Sequence, residues 1–281
     1  MLRIEFVRLI RRGSIFPVVK HPAYHQACHV KTRIFTRAFD QCRELQRRRE
    51  MRKIAMILGL ACACACQGAV VLVEGKCNVF GAGHAVAPDP SGGGAGVLPV
   101  MVSLAGFGAG DYVELNDVSG TVQPGFGFTP NTADGGTSAS GTTDVRSWNG
   151  ISGLIHSNRT MFLTGVFIGS GEPTDPSPAR LDVTNANAQH TITPLLAQTF
   201  FMGDGRDSAS VIQQFIIPAG ATRLYFGFVD AFEFGNPSDL PGHYGDNSGV
   251  LSVGYNIVPS PASALVLLGL ARGCRRRVTR R

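Results

Sequence analysis

The chain has 281 residues, of which 35 are glycine and only 16% are charged, and its formal net charge is +6. Soluble proteins average about 25% charged residues and about 7% glycine, so a coiled coil, a helical bundle and a charge-driven disordered chain are excluded. The positive charge sits at the ends: residues 1–50 hold 12 Lys/Arg against 4 Asp/Glu, residues 272–281 hold six arginines, and residues 54–271 hold 6 basic against 16 acidic residues, a net −10. That distribution disfavours nucleic acid as a partner and favours a cation.

Residues 1–50 read as a basic extension ahead of the natural start, the product of an over-long gene boundary. Within it His21, His25, Cys28 and His29 mimic a zinc set. Adjacent Cys and His seldom ligate one metal, and no second pair follows at finger spacing, so the cluster is read as chance. Met51-Arg52-Lys53, the apolar run Ile54–Cys66 and the small residues Gly68-Ala69 have the layout of a secretory signal peptide over 51–69. A helical signal segment cleaved near Ala69 is expected, and the run is too short for a membrane span of about 20 residues. Cleavage removes Cys62, Cys64 and Cys66, leaving Cys77 and Cys274, so the body must rely on its apolar core.

The body spans residues 70–258. Gly81–Gly96 reads as a loose, glycine-rich lead-in. Strands are expected at Leu98–Leu104, Tyr112–Val118, Ile151–Ile155, Met161–Ile168, Thr199–Met202, Val211–Ile217, Arg223–Val229 and Val250–Ile257. Each is short, rich in β-branched and aromatic residues, and bounded by Gly, Pro, Asn or Asp. No segment shows capped 3.6-residue periodicity. An all-β fold follows: an antiparallel β-sandwich of about eight strands with jelly-roll or galactose-binding-like topology. Gln123–Arg146 and Ser170–Asn187 are expected as polar surface loops. Trp148 is read as a core or rim aromatic, and Gly203-Asp204-Gly205-Arg206-Asp207 as a solvated turn.

Chemistry concentrates between Asp230 and Gly249, which hold four acids, two asparagines and no Lys or Arg. Calcium takes six to eight oxygens from carboxylates, amide carbonyls and backbone carbonyls at about 2.3–2.6 Å. Such a loop supplies all three kinds. The ion-free alternative is an Asx-type hairpin in which Asp246 and Asn247 bond their own backbone.

The stretch Pro241-Gly242-His243-Tyr244-Gly245-Asp246-Asn247-Ser248-Gly249, with Ser252-Val253 beyond it, resembles the calcium-site segment of the galactophilic calcium-dependent lectins, small bacterial β-sandwiches. Gly110-Asp111 and Ser119-Gly120-Thr121-Val122 are similar to that family's early strand and turn. The resemblance covers roughly residues 98–257. It implies a calcium ion that bridges the protein and adjacent hydroxyls of a sugar. Asp246 and Asn247 match the paired side-chain ligands, and His243 the backbone-carbonyl position. Asp230 matches the strand-end aspartate provided residues 231–241 are a local insertion, and Asp239 is the competing match. A further backbone ligand would fall near Gln123–Pro124 and is left unassigned. Ligand contact is expected of Asp246, Asn247 and Tyr244. The family's sugar-contacting histidine has no counterpart here.

Residues 259–281 begin with Pro259-Ser260-Pro261, continue with the apolar Ala262–Ala271 and end in the arginine cluster. This order resembles the PEP-CTERM sorting tail, with Ser260 in place of the usual glutamate. The resemblance implies an exosortase-type sorting machinery as partner and transient membrane association through a short helix at 262–271. Its ten residues make about 15 Å of helix, half of a bilayer core.

Catalysis has little support in these residues. No Gly-x-Ser-x-Gly elbow exists, and His84, His156, His190 and His243 lack metal spacing. The expectation is therefore a non-catalytic, exported or surface-associated protein that binds carbohydrate or exopolysaccharide with the help of calcium. The alternative is a structural surface or matrix protein whose calcium only stiffens a loop.

Overall fold

The computed structural model describes residues 4–5, 18–19, 67–234 and 239–260. The expected signal run Ile54–Cys66, the His21–His29 set and the sorting segment 262–271 lie outside the described residues. The chain divides into two units, residues 1–62 and 63–281. In the first, β1 (Ile4–Glu5) pairs antiparallel with β2 (Val18–Val19).

The described residues of the second unit are all-β. A five-stranded sheet has the order β10-β12-β5-β14-β3. It is built from β3 (Gln67–Glu74), β5 (Tyr112–Gln123), β10 (Thr191–Ile192), β12 (Gln214–Ile216) and β14 (Ser248–Val258). A four-stranded sheet, β11-β8-β13-β4, uses β4 (Val100–Ser103), β8 (Thr164–Ile168), β11 (Thr199–Phe201) and β13 (Arg223–Gly227). A three-stranded sheet, β6-β7-β9, joins β6 (Thr143–Val145), β7 (Leu154–His156) and β9 (Leu181–Asp182). Pairing is antiparallel except for the short β10–β12 and β7–β9 ladders. Helix among the described residues is confined to two 3-10 turns, Val79–Gly81 and Ala186–Ala188. None of these helices is long and apolar enough to cross a membrane.

The core forms because alternate residues of the strands point the same way. Val113, Leu115 and Val122 of β5 and Leu251, Val253 and Ile257 of β14 are buried, while β8 is buried at every position. Rings from the two larger sheets meet: Phe200 (β11) lies 5.7 Å from Phe215 (β12), and Phe226 (β13) lies 5.9 Å from Tyr255 (β14). Cys77, read as one of the cysteines left to the body, is free and buried, and burial pushes its thiol up to about 11.

Three expectations change. Gln67–Ala69, assigned to the signal peptide, are the first residues of β3 and pair with Ile257, Asn256 and Tyr255 of β14. The apolar Ala69–Val73 continues the signal-like run in sequence, yet Val73 is a core residue at 0% exposure. A cut near Ala69 would fall inside this strand. Second, Gly81–Gly96 is not loose. The fully buried Asn78 side chain donates to Pro88 O (2.8 Å) and Ala95 O (3.1 Å) and so ties down the segment. Gly93, Gly94 and Gly96, all at positive φ, bring its backbone against His243, Gly245 and Tyr244, where a side chain would collide. Third, the two polar loops carry short strands, β6 in Gln123–Arg146 and β9 in Ser170–Asn187.

Candidate cation site

Strand β13 runs out through the buried Phe228 and Val229 and delivers Asp230 to the interior at 1% exposure. Its carboxylate accepts two hydrogen bonds, from Ala231 N to Oδ1 at 2.7 Å and from Asn247 Nδ2 to Oδ2 at 2.6 Å. Burial pushes this carboxyl up to about 8; the bonds from Asn247 and Ala231 oppose the shift and the charge of Asp246 adds to it. An ionised carboxylate in such a place needs a compensating charge, since desolvation alone favours the neutral acid.

Asn247 is equally buried, at 1% exposure. Besides the bond to Asp230, Nδ2 donates to Gly75 O at 3.1 Å, at the end of β3. Its Oδ1 is buried and has no hydrogen-bond partner among the described residues. Leaving a buried acceptor unpaired costs about 1–3 kcal/mol, so such an atom marks a place where a partner is missing.

Asp246, just before it in the chain, is exposed. A Cβ built on Gly125 would lie 2.9 Å from Asp246 Oδ2, so the carboxylate rests over Gly125. Strand pairing explains the approach. Ser248 of β14 is opposite Gln123 of β5, and its hydroxyl donates to Gln123 Oε1 at 3.4 Å. Gly125, next to the Gln123–Pro124 position where the lectin resemblance leaves a backbone ligand unassigned, therefore borders Asp246.

The remaining expected residues take different parts. An isolated bridge Ala231–Pro241 and the bond from Gly242 N to Asp230 O (3.1 Å) close the excursion between them, so Asp230 returns directly to the loop carrying Asp246 and Asn247. Asp239 turns its carboxylate back on its own loop, accepting from Glu233 N at 3.1 Å and Leu240 N at 2.9 Å. His243 adopts φ +65, donates its N–H to Gly92 O at 2.9 Å and packs its ring 4.9 Å from Phe232. Tyr244, expected to touch a ligand, has 0% exposure and offers no surface to one. Its hydroxyl donates to Phe228 O (3.0 Å) and accepts from Asp230 N (3.1 Å), which makes it the post that holds Asp230 in place. Burial, then the Asp230 charge, raises its phenol well above the usual range.

Elsewhere, the Gly203–Asp207 turn caps itself: Asp204 Oδ1 accepts from Arg206 N, and Asp207 Oδ1 from Ala209 N and Val211 N. Trp148 is a rim residue at 38% exposure. A depression of about 570 Å³ lined by Met101, Leu104, Phe107 and Arg223 has its guanidinium engaged by the carbonyls of Gly169 and Gly171. Among the described residues no three His, Cys, Asp or Glu side chains cluster as a metal centre. The candidate site instead consists of the bonded Asp230 and Asn247 side chains, with Asp246 beside Asn247 in sequence. Gly75 and Asn78 belong to its support and went unread, because their partners are 172 and up to 17 residues away and no local pattern signals them. Comparison with protein-family profiles, curated proteins and solved structures returned no match.

Proposed function

We propose that this chain is an exported, non-catalytic carbohydrate-binding protein whose two larger sheets form a β-sandwich of the jelly-roll or galactose-binding kind. The observation that carries the reading is the Asp230–Asn247 pair, two side chains at 1% exposure held 2.6 Å apart, with the Asn247 amide oxygen unbonded among the described residues. An all-oxygen set of this kind fits calcium: Asp230, Asn247 Oδ1, Asp246 and the His243 carbonyl would hold it. Bound there, calcium supplies open coordination positions for adjacent sugar hydroxyls, as the lectin resemblance implies. The chain's own residues do the rest. Tyr244 fixes Asp230, Gly75 fixes Asn247, and the 91–96 segment closes one side of the loop.

Export through the signal-like run Ile54–Cys66, sorting by an exosortase-type machinery and retention in extracellular polysaccharide complete the proposal. They are supported by the residue patterns at the two ends and by the acidic body. Isothermal titration of the full chain with CaCl₂, followed by a glycan array with and without EDTA, tests the reading. No heat at about 10 mM, above the 10⁻⁴–10⁻³ M range of extracellular calcium modules, would end it.

One observation favours the second reading, a matrix protein with a calcium-stiffened loop. Asp230 and Asn247 are buried and only Asp246 is exposed, so the deep oxygens serve the fold whether or not a sugar arrives. Calcium binding with silence on every glycan selects it.

A further inference from the structure

Phe126 is 102% exposed and Phe128 43% exposed, and both lie on the five-residue turn Pro124–Phe128 that follows β5. Single exposed apolar residues are ordinary. Two phenylalanines on one short turn beside a polar site are less so.

The turn is built rather than slack. Gly125 and Gly127 both take positive φ (+100 and +88), a region that favours glycine. The Phe128 carbonyl accepts a hydrogen bond from Gln123 Nε2, and Gln123 is in turn held by Ser248. A Cβ built on Gly125 would lie 2.9 Å from Asp246 Oδ2 and 3.4 Å from Phe128 Cδ2. The carboxylate and the ring therefore stand side by side over one glycine, no further apart than the sum of those two distances.

From this juxtaposition, and resting on the carbohydrate reading above, we propose that Phe128, extended by Phe126, is the apolar platform that takes the C–H face of a neutral sugar bound at Asp246. Saccharides present hydroxyl edges and apolar C–H patches, and binding sites pair a few placed polar groups with aromatic lining. Asp246 with its neighbours supplies the polar half, and the two rings supply the other. The acidic body, with 6 basic against 16 acidic residues in 54–271, argues for a neutral ligand over an anionic lipid surface.

The test uses the full chain and immobilised galactose, mannose and glucose, with calcium titrated separately. Wild-type protein is expected to bind at least one of these sugars in an EDTA-sensitive way. Phe128→Ala should weaken that binding about ten-fold and Phe126→Ala about three-fold, with calcium affinity unchanged within about two-fold. Phe128→Trp should restore binding, whereas Phe128→Leu, which keeps bulk without an aromatic face, should not; urea midpoints confirm that each variant is folded. Undiminished sugar binding by Phe128→Ala overturns the platform while leaving the carbohydrate reading intact. Wild-type protein that binds calcium but none of the sugars overturns both. Calcium-dependent co-sedimentation with phosphatidylcholine or phosphatidylserine vesicles that is lost in the two alanine variants, without sugar binding, assigns the rings to lipid and overturns the proposal.

Discussion

Asn247 grips Asp230 with one half of its amide and leaves the other half unbonded. Nδ2 lies 2.6 Å from Asp230 Oδ2 and 3.1 Å from Gly75 O, whereas Oδ1 is buried without a partner among the described residues. A local Asx turn would aim these groups at their own backbone. Here the amide reaches instead to two segments distant in sequence, so the Gly-Asp-Asn-Ser-Gly turn is a junction between β3, β13 and β14.

Asp230→Asn should separate the fold from the ion. Asparagine is nearly isosteric, but it offers one oxygen where Ala231 N and Asn247 Nδ2 each now have one. Loss of one buried acceptor should lower stability in EDTA by about 1–3 kcal/mol. The expected signature is a melting temperature that no longer rises when calcium is added, measured beside wild-type protein. A calcium-dependent rise equal to that of wild type would remove Asp230 from the site.

Asn247 has a sharper pair of variants. Asn247→Leu leaves Asp230 Oδ2 and Gly75 O without their shared donor and should cost about 2–3 kcal/mol in urea denaturation, with calcium giving no rescue. Asn247→Asp puts a second carboxyl against Asp230. It should be destabilised in EDTA by like-charge repulsion and largely restored by calcium. If calcium fails to restore it, the pair is a purely structural hydrogen bond.

All eight strand positions expected from sequence contain a strand, because each run is short, rich in β-branched and aromatic residues and bracketed by Gly, Pro, Asn or Asp. β3 was hidden because its alternation of Val71 and Val73 abuts the apolar signal-like run. β6, β9 and β10, at three, two and two residues, are too short to show a period. The Asp246-Asn247 pair was legible as an oxygen-rich loop. Its depth was not, since the burial of Asp230 and Asn247 is decided by Tyr244 and Gly75, contacts that no local composition encodes. The glycines of 91–96 pointed to looseness, whereas they serve close backbone approach.

Tyr244→Phe isolates the post from the site it supports. The ring volume is kept, and only the bonds to Phe228 O and from Asp230 N are lost. The buried Asp230 N is then unpaired, while Phe228 O keeps its bond from Val79 N, so a loss of about 1–3 kcal/mol is expected in denaturant titrations. Calcium affinity should fall as Asp230 loosens, and sugar contacts should not be lost directly because the residue has 0% exposure. A variant as stable as wild type would show that Tyr244 acts through packing alone.

His156 supplies a pH dependence independent of the cation site. It is buried at 3% exposure, with rings of Phe162 and Phe201 at 5.2 and 6.1 Å. Burial, then the charge of Arg159, holds its pKa down at about 4, against an opposing effect of Asp182. A histidine lowered from 6.5 contributes stability that is complete above pH 6.5, falls away as the pH drops toward 4, and stays lost below. The loss amounts to about 3 kcal/mol. Asp230 acts in the opposite sense in calcium-free protein: its raised pKa stabilises the fold at low pH and the benefit fades as the pH climbs through about 8. The informative quantity is therefore the wild-type stability minus that of His156→Leu, measured in EDTA from pH 7.5 to 3.5, in which the Asp230 contribution cancels. That difference should decline between pH 6.5 and 4 and then level off; a flat difference would mean that the imidazole is solvated when protonated and that the aromatic pocket opens to admit it.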